Sequence, residues 1–251
     1  MEIVNMGANS PDLGNQALSK VVEIGIASQL DVVEEIDVDL RTNPGNLIQG
    51  KVDSIEISGK GLVVKQDLRM DSIQINTDRV SIDPIGALLG NIELTQPTDA
   101  EARIVLTEAD INRAFASNYM QGKLRGLKMD VDGQPVTIDI QEANLDLPGQ
   151  NKFIIAATFL MRESNEIKKM SATAIPQIHD DGERISLEIL AAEGQGLTLK
   201  LVMVILEQLA ALLDLRNFNI PGISLKLRQL EAQAGKLVIH ANSQIEKVPS
   251  M

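Results

Sequence analysis

KVDSIEISGKGLVVKQDLRMDSIQINTDRVSID (51–83), PIGALLGNIELTQP (84–97) and TDAEARIVLTEADINRAF (98–115) follow one another as short strand-like runs, broken by Gly and Asp and closed by one capped helix. Val52, Ile55 and Ile57 lead into Gly59-Lys60-Gly61, and Met70, Ile73 and Ile75 lead into Thr77-Asp78, which is the punctuation of an antiparallel meander. Thr107 supplies the short polar side chain of an N-cap. Glu108 and Asp110 place acids in the first turn, where the helix dipole favours them, and Ile111, Ala114 and Phe115 share one face.

Working outward, Asp12 to Gln29 reads as a helix with Ser10-Pro11 as N-cap and N1, and with Leu13, Leu18, Val21, Val22, Ile24 and Ile26 among its apolar positions. Ile36, Val38 and Leu40 alternate with acids and enter the turn Asn43-Pro44-Gly45, as a strand does. Met129 and Val131 run into Asp132-Gly133, and Val136, Ile138 and Ile140 run out, which predicts a hairpin. A second hairpin joins Met170, Ala172 and Ala174 to Ile185, Leu187 and Ile189 through His179-Asp180-Asp181-Gly182. The run 153–161, FIIAATFLM, is apolar at odd and even positions alike, so both faces of that strand are expected to be covered.

Leu197 to Asp214, LTLKLVMVILEQLAALLD, is the most apolar segment. Leu199, Val202, Met203, Leu206, Leu209, Ala210 and Leu213 form one helical face, and Leu201, Val204, Ile205 and Leu212 lie outside it. Its Lys200, Glu207, Gln208 and Asp214 make it a poor transmembrane span, which needs ~20 largely uncharged residues. Two readings stay open: a central helix wrapped by a curved sheet, or a helix whose one side forms an acyl groove with the inner sheet face.

Composition narrows the classes. A chain of 251 residues with 44% hydrophobic residues and a mean hydropathy of +0.02 is long enough to bury one large core, and one elongated domain over 1–251 is expected, with 1–10 and 246–251 as flexible ends. The absence of Cys removes disulfides, thiolate zinc sites and a cysteine nucleophile. A net charge of −12 opposes nucleic acid, whose affinity comes from neutralising phosphates, and opposes electrostatic adsorption to an anionic leaflet. An amphiphilic ligand would therefore be held by apolar contact.

Catalytic readings find little support. The two histidines are His179, in the Asp-Asp-Gly turn, and His240, in the closing strand Leu237–Ala241. His179, Asp180, Asp181 and Glu183 have metal-ligand side chains, but a hairpin turn selects Asp and Gly on its own account. Asp130-Val131-Asp132-Gly133 looks like the start of a calcium loop but lacks the downstream Glu and helix. No Gly-x-Ser-x-Gly elbow, Walker loop or His-Glu-x-x-His is present. No enzyme, metal or cofactor is expected.

The order of glycine turns, the VSID strand (80–83), the LTEADIN helix start (106–112) and the closing ISLKLRQLEAQAGKLVIHANSQIE (223–246) resemble the LmeA family of phospholipid-binding proteins, in a cyanobacterial-type member, over most of the chain. The resemblance implies an α+β fold: a long curved antiparallel β-sheet meander wrapped around one or two long apolar helices. That fold is similar to the tubular lipid-binding (TULIP) group. It implies a non-enzymatic protein that holds a phospholipid or similar acylated amphiphile in an aliphatic groove, in envelope or membrane lipid homeostasis, with room for peripheral contact with a membrane.

The surplus apolar sides of the amphipathic elements give the groove candidates Val21, Ile24, Ile154, Leu160, Leu201, Val204, Ile205 and Leu212. Lys200, Arg216 and Arg228 are the cations available to a phosphate at its mouth. The alternative is an interaction or scaffold module that docks another chain on the same apolar surface. MEIVNMGANSPDLGNQALSK has no basic segment followed by an apolar one, so no signal peptide is expected, although actinobacterial relatives are generally exported or membrane-anchored. A cytoplasmic location, or one peripheral to a membrane, is expected instead.

Overall fold

In the computed structural model, which describes residues 13–64, 68–88, 93–131, 133–194, 196–211 and 223–246, the meander forms two-thirds of a six-stranded antiparallel sheet. β1 (Glu35–Arg41), β2 (Lys51–Val64), β3 (Leu68–Ser81) and β4 (Thr98–Thr107) lie side by side in chain order. After α4 (Glu108–Ala116) and α5 (Asn118–Lys123), the chain builds a five-stranded antiparallel meander. Its strands are β5 (Leu127–Val131), β6 (Gln134–Gly149), β7 (Lys152–Met161), β8 (Glu166–Ile178) and β9 (Ile185–Gly194). Beyond α6 (Leu199–Ala211), the hairpin β10 (Ile223–Gln233) and β11 (Lys236–Ile245) returns to the first sheet, where β11 pairs with β4.

The α+β class and the antiparallel sheet stand, with a sheet curled as a half-barrel. The strands divide into two sheets where one long sheet was expected. The cause is topological: Thr107 faces Lys236, and no local pattern announces a pairing between residues so far apart in sequence. Asn43-Pro44-Gly45 is also more than a turn. Asn43 Oδ1 accepts the Asn46 N–H at 2.9 Å and caps the single-turn helix α2 (Pro44–Ile48), with Pro44 at its start. A second single-turn helix, α3 (Pro84–Leu88), follows β3.

The helix α1 (Leu13–Ala27) is not enclosed by a sheet. It lies along the free edge of β1, where Ser19 Oγ accepts the Leu40 N–H at 3.1 Å and Asn15 Nδ2 donates to the Thr42 carbonyl at 2.9 Å. Those bonds partly satisfy an edge that would otherwise invite another strand. None of the described α1 side chains is fully buried.

Thr107 caps α4 as its residue type predicts: its Oγ1 accepts the Asp110 N–H at 3.1 Å and donates to the Asp110 carboxylate at 2.6 Å. Asp110 is 3% exposed, and the guanidinium groups of Arg69 and Arg113, each at 3.0 Å, offset the cost of burying a carboxylate. One further face of α4 reaches β6. Asn112 exchanges two hydrogen bonds with the Leu145 backbone, and Glu108 accepts the Leu147 N–H at 2.7 Å. Asn151 completes the seam between the sheets, its N–H donating to the Ala232 carbonyl and its Oδ1 accepting the Ala232 N–H, both at 3.0 Å.

The larger core lies on one face of the five-stranded sheet, where Ile138, Ile140, Phe153 and Phe159 meet Leu201, Val202, Ile205 and Leu206 of α6, and where Leu230 and Leu237 join from the other sheet. The smaller core gathers Leu40, Val52, Val80 and Ile82 with Leu18 and Ile55 at the far end of the six-stranded sheet. The expectation that both faces of 153–161 are covered needs correction. Phe153, Ile155, Ala157 and Phe159 are buried, whereas Ile154, Ala156, Thr158 and Leu160 are half-buried on the outer face. Cross-strand neighbours such as Asp146 and Thr173 beside Ile154 shield them in part.

Candidate functional site

Register alone assembles an apolar face across the six-stranded sheet. Three rows cross all six strands from β1 to β10. They are Ile36–Gly59–Ile73–Ile104–Ile239–Leu230, Val38–Ile57–Ile75–Ala102–Ala241–Leu227, and Leu40–Ile55–Thr77–Ala100–Ser243–Leu225. Side chains alternate across a pleated strand, so these positions share one face and their sequence neighbours the other. That other face carries Asp37, Asp39, Glu56, Gln74, Asn76, Glu101, Arg103, His240 and Asn242. His240 thus stands on the polar face, as its place between apolar neighbours suggests.

Burial on the apolar face is uneven. Val38, Leu40, Ala100, Ala241, Leu227 and Leu230 are each at most 8% exposed. Ile57, Ile73, Ile75, Ala102 and Ile104 are half-buried and belong to neither core. Its polar members are few. Thr77 exchanges hydrogen bonds with the Ile55 backbone, while the buried Ser243 Oγ has no hydrogen-bond partner among the described residues. The arrangement is an aliphatic surface with one unused hydroxyl.

Two concavities lie elsewhere. A cleft of about 750 Å³ between α1 and β1 is lined by polar side chains, among them Asn15, Gln16, Glu23, Asp37 and Arg41, and also by Val38 and Leu40. A pocket of about 300 Å³ between α6 and β9 has an apolar floor of Ile185, Leu187, Ile189, Met203, Leu206 and Ala210, with His179, Arg184 and Glu207 at its mouth.

The turn beside that mouth is built for structure. Asp181 accepts the Glu183 N–H at 2.9 Å and the Arg184 Nε at 2.7 Å, and these bonds, the backbone one first, hold its carboxyl down to about 2. Asp139, held by Arg162 and by the Gly126 N–H, is likewise lowered. Among the described residues no cluster of three or more His, Asp or Glu side chains is placed to hold a metal.

The eight groove candidates do not converge. Val21 (38% exposed) and Ile24 (60%) face outward on α1, while Ile154 and Leu160 lie on the outer face of β7. Leu201 and Ile205 are enclosed in the larger core, Val204 packs partly buried against it, and Leu212 lies outside the described residues. Of the cations, Lys200 has partners, Arg228 is the extra residue of a bulge in β10, and Arg216 lies outside the described residues, as do Asp132 and the expected flexible ends apart from Glu246. The half-covered sheet face was missed, although its signal was present. Each contributing strand alternates apolar and polar residues, and what was lacking is the register that aligns them.

No described helix is long and apolar enough to cross a membrane. Fold and surface together define an α+β protein with an antiparallel sheet that is aliphatic on one face and, apart from buried residues such as Val105 and Val238, polar on the other. The model of the LmeA-like phospholipid-binding family matches residues 12–242, nearly the whole chain, and the chain belongs to that family. No curated protein and no solved structure matches it.

Proposed function

We propose that this protein is a non-enzymatic lipid carrier or holder that lays the acyl chains of a phospholipid, or a similar amphiphile, along the half-covered face of the six-stranded sheet. The observation that carries this reading is the patch Ile57, Ile73, Ile75, Ala102 and Ile104, left between two finished cores in a chain from a phospholipid-binding family. Burying a methylene gains ~0.8 kcal/mol, so a dozen of them contribute on the order of 10 kcal/mol, comparable with the cost of association. The likeness to TULIP proteins is a fold analogy that agrees with this placement, and envelope or membrane lipid homeostasis is the setting it suggests.

Native mass spectrometry of protein purified from its own host tests the proposal. One co-purifying phospholipid per chain, lost in Ile75→Asp, supports it. A clean apo monomer that also refuses added short-chain phosphatidylcholine ends it. The second reading is an interaction module, favoured by Leu199 (63% exposed) and Met203 (43%) on α6, and an apo dimer would support that instead.

A further inference from the structure

Two connections at one end of the six-stranded sheet, β1 to β2 and β3 to β4, each fold into a single-turn helix and each exposes an isoleucine. Ile48 of α2 is 80% exposed and Ile85 of α3 is 70% exposed, the highest values among the exposed large hydrophobic residues. The loops are fixed to each other. The Ile82 N–H donates to the Gly50 carbonyl at 2.7 Å, and Gly50, at φ 71°, sits so close that an added Cβ would lie 2.9 Å from Pro84 Cδ. Each isoleucine is thus held out from a braced turn and does not fold back onto the core.

The charge pattern says what these turns meet. The chain has 35 Asp and Glu residues, yet Asn43–Gly50 (NPGNLIQG) and Pro84–Leu88 (PIGAL) contain no ionisable side chain. Asp83, at the start of the second turn, is engaged by the backbone amides of Ile85 and Gly86, at 3.1 and 3.0 Å. The carboxylates beside these turns are Asp83, on those two amides, Asp53, which accepts the Asn46 side-chain amide at 3.0 Å, and Glu93, whose backbone pairs with Asp83, so the turns' own uncharged residues leave water more cheaply than the rest of so acidic a surface. Lys51, which bonds Gln49 Oε1 at 3.2 Å, is a single cation beside α2, whereas adsorption through anionic lipid wants a cluster of them. These turns also adjoin the smaller core, and through it the aliphatic face proposed to hold acyl chains.

We propose that the α2–α3 end is a membrane-docking tip, in which Ile48 and Ile85 insert into the interface of a zwitterionic bilayer and bring the end of the sheet's apolar face to the lipid. This deepens the lipid-holding reading and rests on it for its purpose, but not for its test.

The chain has no Trp, so Ile48→Trp, Ile85→Trp and, as a control on the other sheet, Ile167→Trp each give a single reporter. With phosphatidylcholine vesicles, emission should shift to the blue and be quenched by brominated acyl chains at positions 48 and 85, and not at 167. Ile48→Asp/Ile85→Asp, at exposed positions that spare the fold, should lower vesicle partitioning by about tenfold or more for each isoleucine. It should leave binding of soluble short-chain phosphatidylcholine unchanged.

Silence at both positions, an equal response at 167, binding that needs anionic lipid, or a response that follows self-association without vesicles would each overturn the tip. Silence at the tip with intact short-chain binding removes docking and leaves the lipid-holding reading. Insertion at the tip with no short-chain binding does the reverse.

Discussion

The two sheets treat the same resource differently. In the five-stranded sheet the apolar face is finished: Ile138, Ile140, Phe159 and Ala174 show no exposure, and α6 closes over the face with Ile205 and Leu206. In the six-stranded sheet Ile57, Ile73, Ile75, Ala102 and Ile104 stay half-buried outside both cores, and α1 lies along the edge of β1. Complete burial is what stabilises a domain of this size. The first sheet therefore holds the fold, and the second leaves apolar area half covered, which is the area the lipid-holding proposal uses. The lesson concerns location: a group of half-buried aliphatic residues left outside both cores distinguishes this face more clearly than total hydrophobicity does.

Truncation in the closed sheet should break the contrast most violently. Phe159→Ala removes a fully enclosed ring and is expected to cost about 3–5 kcal/mol by chemical denaturation. A loss under about 1 kcal/mol would mean the closed sheet is not the structural half. The seam comes next. Asn151 holds φ 56° and both Ala232 backbone groups, so Asn151→Ala should cost about 2–3 kcal/mol, from a lost hydrogen bond and the left-handed backbone together. Asn151→Gly relieves the backbone part and should cost about 1 kcal/mol less. Equal losses would show that the side-chain bond alone matters.

In the open sheet the order of effects reverses. Ile75→Ala trims a half-buried side chain and should cost about 1 kcal/mol of stability, while weakening phospholipid binding about three- to tenfold. If stability falls as far as in Phe159→Ala and lipid binding does not change, the middle of this face is ordinary core and the contrast between the sheets fails.

Much of the fold was legible because its signals are local. Thr107 announced a cap, and Met129–Val131 with Val136–Ile140 announced a hairpin that the register confirms. The apolar run 197–214 announced a helix, and α6, described over Leu199–Ala211, reaches the core. The site was illegible for the complementary reason. Ile57, Ile75 and Ala102 each look like half-buried strand residues, and the row containing them exists only once β11 returns to β4 and places Ala241 beside Ala102. The candidates drawn from α6 and β7 followed local surplus hydrophobicity. In α6 that surplus is absorbed by the larger core at Leu201 and Ile205, and in β7 it is left on the outer face at Ile154 and Leu160.

The smallest effect tests whether the 179–184 turn belongs to the structural half or to chemistry. The Glu183 N–H first, and then Arg184, stabilise the ionised Asp181 carboxylate, which should titrate at about 2 by carboxyl carbon shift, below the ~3.9 of an unperturbed Asp. A folded-state value below the unfolded one means that the carboxylate favours folding above pH ~4, and that this contribution fades as pH falls through about 2. Asp181→Asn should therefore differ from the parent slightly near neutral pH and converge with it in strong acid, with screening keeping the difference small at so exposed a site. A midpoint near 4, with no change on removing Arg184, would mean that the carboxylate is uncommitted. The neighbourhood of His179 would then regain its standing as a place for chemistry.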